Sequence, residues 1–179
     1  TGGMTADTLL IGAGDLGTEI GLRLAAAGRG VVAVRRRAAL VPAPLVGVAG
    51  DVSDGLPDLP AFDGAGDGPR LLVICLTAGG RSEERYRATF LDGVDAVVSL
   101  GGVGVGNQLW TGRFKQELRD TRITPTEVIA EAVRKAGVPT FLSASASGYY
   151  GDTGEHAAIE SDGPGSGFLA DLVVDWEDA

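Results

Sequence analysis

Residues 8–17 set an apolar run, Thr8-Leu9-Leu10-Ile11, directly before Gly12-Ala13-Gly14-Asp15-Leu16-Gly17, and an amphipathic stretch starts at once behind it. No other feature narrows the fold as much. Glycines packed between a strand-like and a helix-like segment specify a tight strand-to-helix turn whose backbone lies close to a neighbour. Spacing alone is weak evidence. The chain has 29 glycines in 179 residues, about 16%, against a usual ~7%, and roughly 0.7 matches to Gly-x-Gly-x-x-Gly arise by chance at that frequency. Context strengthens it: Leu16, Ile20, Leu24 and Ala27 form a helical stripe that Gly28 closes.

The remaining glycines follow no period and lie between apolar runs, as loops of an α/β sheet do. Strands are predicted at 8–11, 31–34, 45–49, 71–76, 96–100 and 138–142. The run Leu71–Leu76 is continuously apolar, as a strand covered on both faces should be. Helices are predicted over 82–91 and 113–122, and again from Thr124, with Thr124 as cap, Pro125 in the first turn and Glu127 completing a capping box. Gly137 ends that helix. Residues 54–69, rich in Pro, Gly and Asp, read as loop. Strands alternating with helices predict a doubly wound parallel sheet in a three-layer αβα arrangement. With no linker in evidence, residues 1–179 read as one domain, with 1–3 as a tag remnant ahead of Met4.

Composition limits function. Hydrophobic residues make up 44% and charged residues 22%, ordinary globular values. No apolar run approaches the roughly 18 to 20 residues of a membrane helix, and no secretory signal opens the chain. A net charge of −9 argues against nucleic acid as a partner. A single cysteine, Cys75, permits no internal disulfide, and no Cys/His cluster suggests a metal. A cytoplasmic setting is expected.

In the strand–turn–helix context the glycine motif matches a dinucleotide-binding turn. Gly12 permits the turn, Gly14 admits a pyrophosphate, Gly17 lets helix and strand approach, and the helix N-terminus offers unpaired N–H groups. Asp15 sits awkwardly near a diphosphate, unless it caps the helix. At the end of the second strand, where an acidic residue would bind ribose hydroxyls, stand Arg35, Arg36 and Arg37. A guanidinium there can pair with a 2′-phosphate, which favours NADP(H) over NAD(H); three solvated arginines are the plainer reading. Asp51 and Val52 either meet the adenine edge or form an ordinary turn. Gly101–Gly106 is a weaker second candidate for a phosphate cradle.

The segments 10–17, 35–36, 51–52 and 75–79 resemble the NAD-dependent epimerase/dehydratase branch of the short-chain dehydrogenase/reductase superfamily, the first ~92 residues being closest to a nucleoside-diphosphate-sugar epimerase-like subfamily. Residues 95–102, 109–111, 115–120, 143–152, 167–170 and 176–177 resemble its atypical epimerase-like "cell-division inhibitor" subfamily. The resemblance implies a Rossmann-type fold, with cofactor contacts at Gly12, Gly14, Asp15, Leu16, Gly17, Arg35, Arg36, Asp51, Val52, Leu76, Thr77 and Ala78. It implies a small-molecule substrate, carbonyl-containing or sugar-like, an oxidoreductase or epimerase activity, and a possible homodimer. Both 71–77 and 95–100 look like the family's fourth strand, a duplication that a natural fusion, an engineered chimera or a designed sequence would produce. Family members continue past the end of this chain, so the substrate segment is expected to be missing.

The superfamily's Tyr-x-x-x-Lys pair falls at Phe168 and Leu172, neither of which moves a proton. Ser145, Tyr149 and Tyr150 are the remaining candidates for catalysis, although the tyrosine pair could simply pack beneath its loop. A non-catalytic dinucleotide sensor or scaffold, or a domain without natural activity, is the alternative. His156 reads as a solvated loop residue without a partner, Cys75 as an inert core thiol, and Trp110 and Trp176 as packing anchors. Glu83-Glu84 and Asp152, Glu155, Glu160 and Asp162 read as acidic surface.

Overall fold

A computed structural model describes residues 7–12, 14–50, 71–75, 91, 94–106 and 108–179. The helix predicted over 82–91 (Leu91 excepted), the loop over 54–69, Glu83-Glu84, and Asp51, Val52, Leu76, Thr77 and Ala78 lie outside them.

Six parallel strands form one sheet: β1 (Thr8–Ile11), β2 (Val31–Arg35), β3 (Val46–Ala49), β4 (Leu71–Ile74), β5 (Ala96–Ser99) and β6 (Thr140–Ser143), in the order β3-β2-β1-β4-β5-β6. This is the Rossmann-type sheet that the alternation predicts. The two runs that both resemble a fourth strand lie side by side as β4 and β5, with Leu71 opposite Ala96 and Ile74 opposite Ser99.

The central strands β1 and β2 are β-branched or leucine-rich and buried almost throughout, because helices cover both faces. Leu10, Val31, Ala33 and Val73 point to the side of α1 (Asp15–Ala26), where Ile20 and Leu24 meet them. Leu9, Ile11, Val32, Val34 and Val97 point the other way, onto Ile129 and Val133 of α3 (Ile123–Ala136). A third cluster joins Phe114 and Leu118 of α2 (Gly112–Asp120) to Leu172 of α4 (Phe168–Glu177).

Two helix expectations need correction. The face of α1 nearest the sheet is the line Gly17–Gly21, and Leu16, read as part of the buried stripe, is 59% exposed. Glycines win the contact because the helix backbone comes too close for larger residues: a Cβ on Gly21 would lie 2.5 Å from a Leu45 methyl. Thr124 does not cap α3, which starts two residues earlier than expected, at Ile123, with Arg122 at its N-cap and no side-chain cap. The turn at Thr121–Arg122 holds the entry, Arg122 accepting from the Thr126 amide at 3.2 Å. The side-chain cap belongs to α2, where Thr111 accepts from the Phe114 amide at 3.2 Å. Gly137 ends α3 in the left-handed conformation, φ 68°, as predicted.

Candidate functional site

The strands end level. Gly12 donates to Val34, Cys75 to Ile11, Leu100 to Ile74 and Ala144 to Ser99, at 2.7–3.2 Å, so one row of hydrogen bonds crosses the sheet at its carboxyl edge. The chain reverses its direction of travel across the sheet between β1 and β4. In open α/β sheets a ligand crevice opens at such a point, and the glycine turn lies there.

Gly12 has φ 87°, which a side chain would strain. Gly17 packs on it so tightly that a Cβ would stand 2.6 Å from the Gly12 carbonyl oxygen. Gly14 differs: a Cβ built there meets nothing within 4 Å. Gly14 is also the N-cap of α1, with no side-chain cap hydrogen bond. Asp15 therefore sits in the first turn, exposed, and does not act as the cap. The turn leaves an open space bounded by backbone at the positive end of a twelve-residue helix. Such a cradle fits the diphosphate of a dinucleotide, the group implied by the glycine spacing.

Arg35 closes β2 and is half-buried; its Nη1 donates to the Leu40 carbonyl at 3.4 Å. Arg36 and Arg37 are exposed. Arg35 ends the strand adjoining β1 on its side away from β4, and Arg36 and Arg37 follow just past it.

Beyond β6, Ser145 donates to the Glu177 carboxylate at the end of α4. Tyr149 and Tyr150 lie on a short 3₁₀ turn, half-buried, their rings edge to face at 5.2 Å. Gly165 donates to the Tyr149 carbonyl at 2.9 Å, and a Cβ at Gly165 would collide with Tyr150 backbone. The tyrosine turn is thus pinned to the segment entering α4. Among the described residues neither phenol oxygen has a hydrogen-bond partner.

Helix α4 carries no proton-transfer pair. Phe168 opens it and Leu172 is buried against Phe114 and Leu118. A cation does reach this spot from another element: Lys115 Nζ lies 5.1 Å from the Phe168 ring centroid, and Trp110 meets the same ring edge-on at 5.8 Å. Residue order in α4 alone could not signal this, because the lysine comes from α2.

Other candidates settle differently. Cys75 lies just past β4, half-buried, and burial pushes its thiol up to about 11, which disfavours a nucleophilic thiolate. Trp176 is buried and donates to Thr126 at 2.9 Å, an anchor as read; Trp110 is 45% exposed and donates to the Val105 carbonyl at 2.9 Å. His156 is exposed but has a partner, Asp162 at 2.9 Å, six residues on. The Ile159 amide and His156 hold Asp162 below the usual carboxylate range, and Asp152 accepts from the Gly154 amide. These two carboxylates therefore brace their loop as well as facing water. No helix opens from 101–106, since α2 begins at Gly112 behind its Thr111 cap, so that loop lacks the helix N-terminus that the glycine turn at 12–17 has. Among the described residues no group of His, Cys, Asp and Glu could hold a metal, and no helix is long and apolar enough to cross a membrane.

Comparison with known proteins agrees with this geometry. Residues 9–168 match the family profile described as NAD dependent epimerase/dehydratase. An epimerase family protein of Mycobacterium leprae is 59% identical over 86 residues, 48% of this chain and 28% of that relative. Among solved structures, a nucleoside-diphosphate sugar epimerase from Corynebacterium glutamicum aligns with TM-score 0.57 and 26% identity over 96% of this chain and 30% of its own. MoeE5 in complex with UDP-glucose and NAD aligns with TM-score 0.59 and 23% identity over 97% of this chain and 47% of its own. The matched stretch is about a third or less of the length of the curated relatives, 28% to 34%.

Proposed function

The chain belongs to the NAD dependent epimerase/dehydratase family, and from that premise we propose that it binds NADP(H) and serves as an oxidoreductase or epimerase on a carbonyl-containing or sugar-like small molecule. One observation carries the reading: the Gly12–Gly17 turn pairs a backbone contact too tight for a side chain at Gly17 with open space at Gly14. The amides of Asp15, Leu16 and Gly17 would hold the diphosphate over the open space at Gly14, whose own amide donates to the Gly12 carbonyl at 2.8 Å. Arg35, with Arg36, would take the 2′-phosphate, as its position one strand over permits. Asp51 and Val52 would border the adenine, and Leu76, Thr77 and Ala78, which follow β4, would line the opposite half.

Bound nicotinamide would supply the hydride chemistry. The protein's own part is to orient the substrate and move a proton. Ser145 commits its proton to Glu177, so it meets a substrate hydroxyl as an acceptor. Tyr149 and Tyr150 have phenol protons with no described partner and are the groups available to exchange one.

A second reading, dinucleotide binding without turnover, draws on the doubled strand. Ser145 stands past the third strand from β1, because β4 and β5 intervene. With a single fourth strand it would lie nearer by one strand spacing, about 4.8 Å, and catalytic alignment tolerates far smaller errors. NADPH titration followed by energy transfer from tryptophan to nicotinamide tests the shared premise. Saturable transfer is expected, and its absence at millimolar cofactor would end both readings. NADPH consumption with a panel of aldehydes and ketones, and product analysis of sugar nucleotides incubated with NADP+, then separate them: cofactor oxidation or a new epimer supports the enzyme, binding with neither supports the sensor.

A further inference from the structure

The loop leaving β5 is gripped by two consecutive side chains from the turn between α2 and α3. Thr121 Oγ1 accepts from the Val103 amide at 3.3 Å, and Arg122 Nη2 donates to the Val103 carbonyl at 2.8 Å. Both polar groups of Val103 are therefore taken. Arg122 lies flat against Gly102, where a Cβ would come within 3.0 Å of the guanidinium carbon and φ is 144°. Its Nη1 donates to the Leu118 carbonyl at 3.2 Å, and the Trp176 ring lies 5.4 Å from the guanidinium. No carboxylate pairs with this half-buried arginine among the described residues. Its charge faces carbonyls and an aromatic ring, an arrangement that a planar fork satisfies and a lysine cannot.

The clasp holds a particular place. Leu100 donates to Ile74 at 2.7 Å, so residues 101–103 start at the carboxyl edge beside the end of β4. The arginines lie beyond β2, on the opposite side of the glycine turn. A dinucleotide with its adenosine phosphate at Arg35 therefore extends its other half over the ends of β4 and β5, where the clasped loop stands.

We propose that Arg122, with Thr121, is a positioning residue that fixes the 101–106 loop as the wall of the nicotinamide half of the cleft; this rests on the cofactor reading above. The test compares NADPH with adenosine 2′,5′-bisphosphate, which lacks the nicotinamide half, in the full chain and in Arg122→Lys and Thr121→Val. Circular dichroism checks folding, and amide exchange at 102–104 checks loosening of the loop. The expected result is faster exchange, NADPH binding weakened about tenfold or more, and bisphosphate binding unchanged within about twofold. If Arg122→Lys fails to fold, Thr121→Val carries the comparison. Parallel weakening of both ligands, or weakening of neither, overturns the proposal. If the unsubstituted chain binds the bisphosphate but not NADPH, the proposal falls and the glycine and arginine half of the cofactor reading stands. If it binds neither, both fall.

Discussion

At the residue scale, the proposed preference for NADP(H) rests on Arg35 and its neighbours. Arg35 is braced by the Leu40 carbonyl at only 3.4 Å, a long bond that a phosphate would readily replace. Arg35→Ala is therefore expected to weaken NADPH by about 1.5–3 kcal/mol and to leave NADH nearly unchanged. Isothermal titration of both cofactors measures this, and equal losses would mean that Arg35 does not read the 2′-phosphate. Cys75 provides a second test. Its thiol rises from 9.0 to about 11 on burial, so the folded state favours the neutral form. That contribution to stability is complete below pH 9 and is lost as pH climbs through 11. Denaturant midpoints of the unsubstituted chain, relative to Cys75→Ala, should fall across that window; a constant difference would contradict the burial argument.

At the element scale, α4 explains why the superfamily's proton-transfer pair cannot simply be restored. Phe168 is half-buried at the first position of the helix, whereas Leu172 is 1% exposed within the Phe114–Leu118 cluster. Phe168→Tyr is expected to cost less than about 1.5 kcal/mol. Leu172→Lys buries a charge with no counterion in that cluster and should lower stability by several kcal/mol. Chemical denaturation of the two variants checks the ordering. Local signals made the elements legible: apolar runs marked β1, β2, β4 and β5, and Gly137 marked the end of α3. They failed where a contact joins distant segments. Glu177 lies 32 residues from Ser145, and Lys115 reaches Phe168 from another helix. Periodicity also overrated Leu16, because it scores hydrophobic side chains, and the close approach of α1 to the sheet favours the absence of one at Gly17 and Gly21.

At the scale of the whole molecule, the six-strand order and the level carboxyl edge place the glycine turn, the arginines, the clasped loop and the Ser145–Tyr150 segment along one rim. The glycine spacing and the arginines were readable beforehand because they lie in one short βαβ stretch. The relation of that stretch to Ser145 was not, because it depends on β4 and β5 both entering the sheet. The central claim is that the turn is a phosphate cradle, and Gly14→Val tests it most directly. Gly14 has φ −75°, which any residue adopts, and a Cβ there meets no protein atom within 4 Å, so the fold should tolerate the change while the cradle is filled. Titrating NADPH into both proteins, with their melting curves recorded alongside, should show saturable binding to the unsubstituted chain, none to Gly14→Val, and a melting temperature lowered by only about 2–4 °C, the cost of valine at an N-cap. Equal affinities in the two proteins, or no binding to the unsubstituted one, would contradict the account.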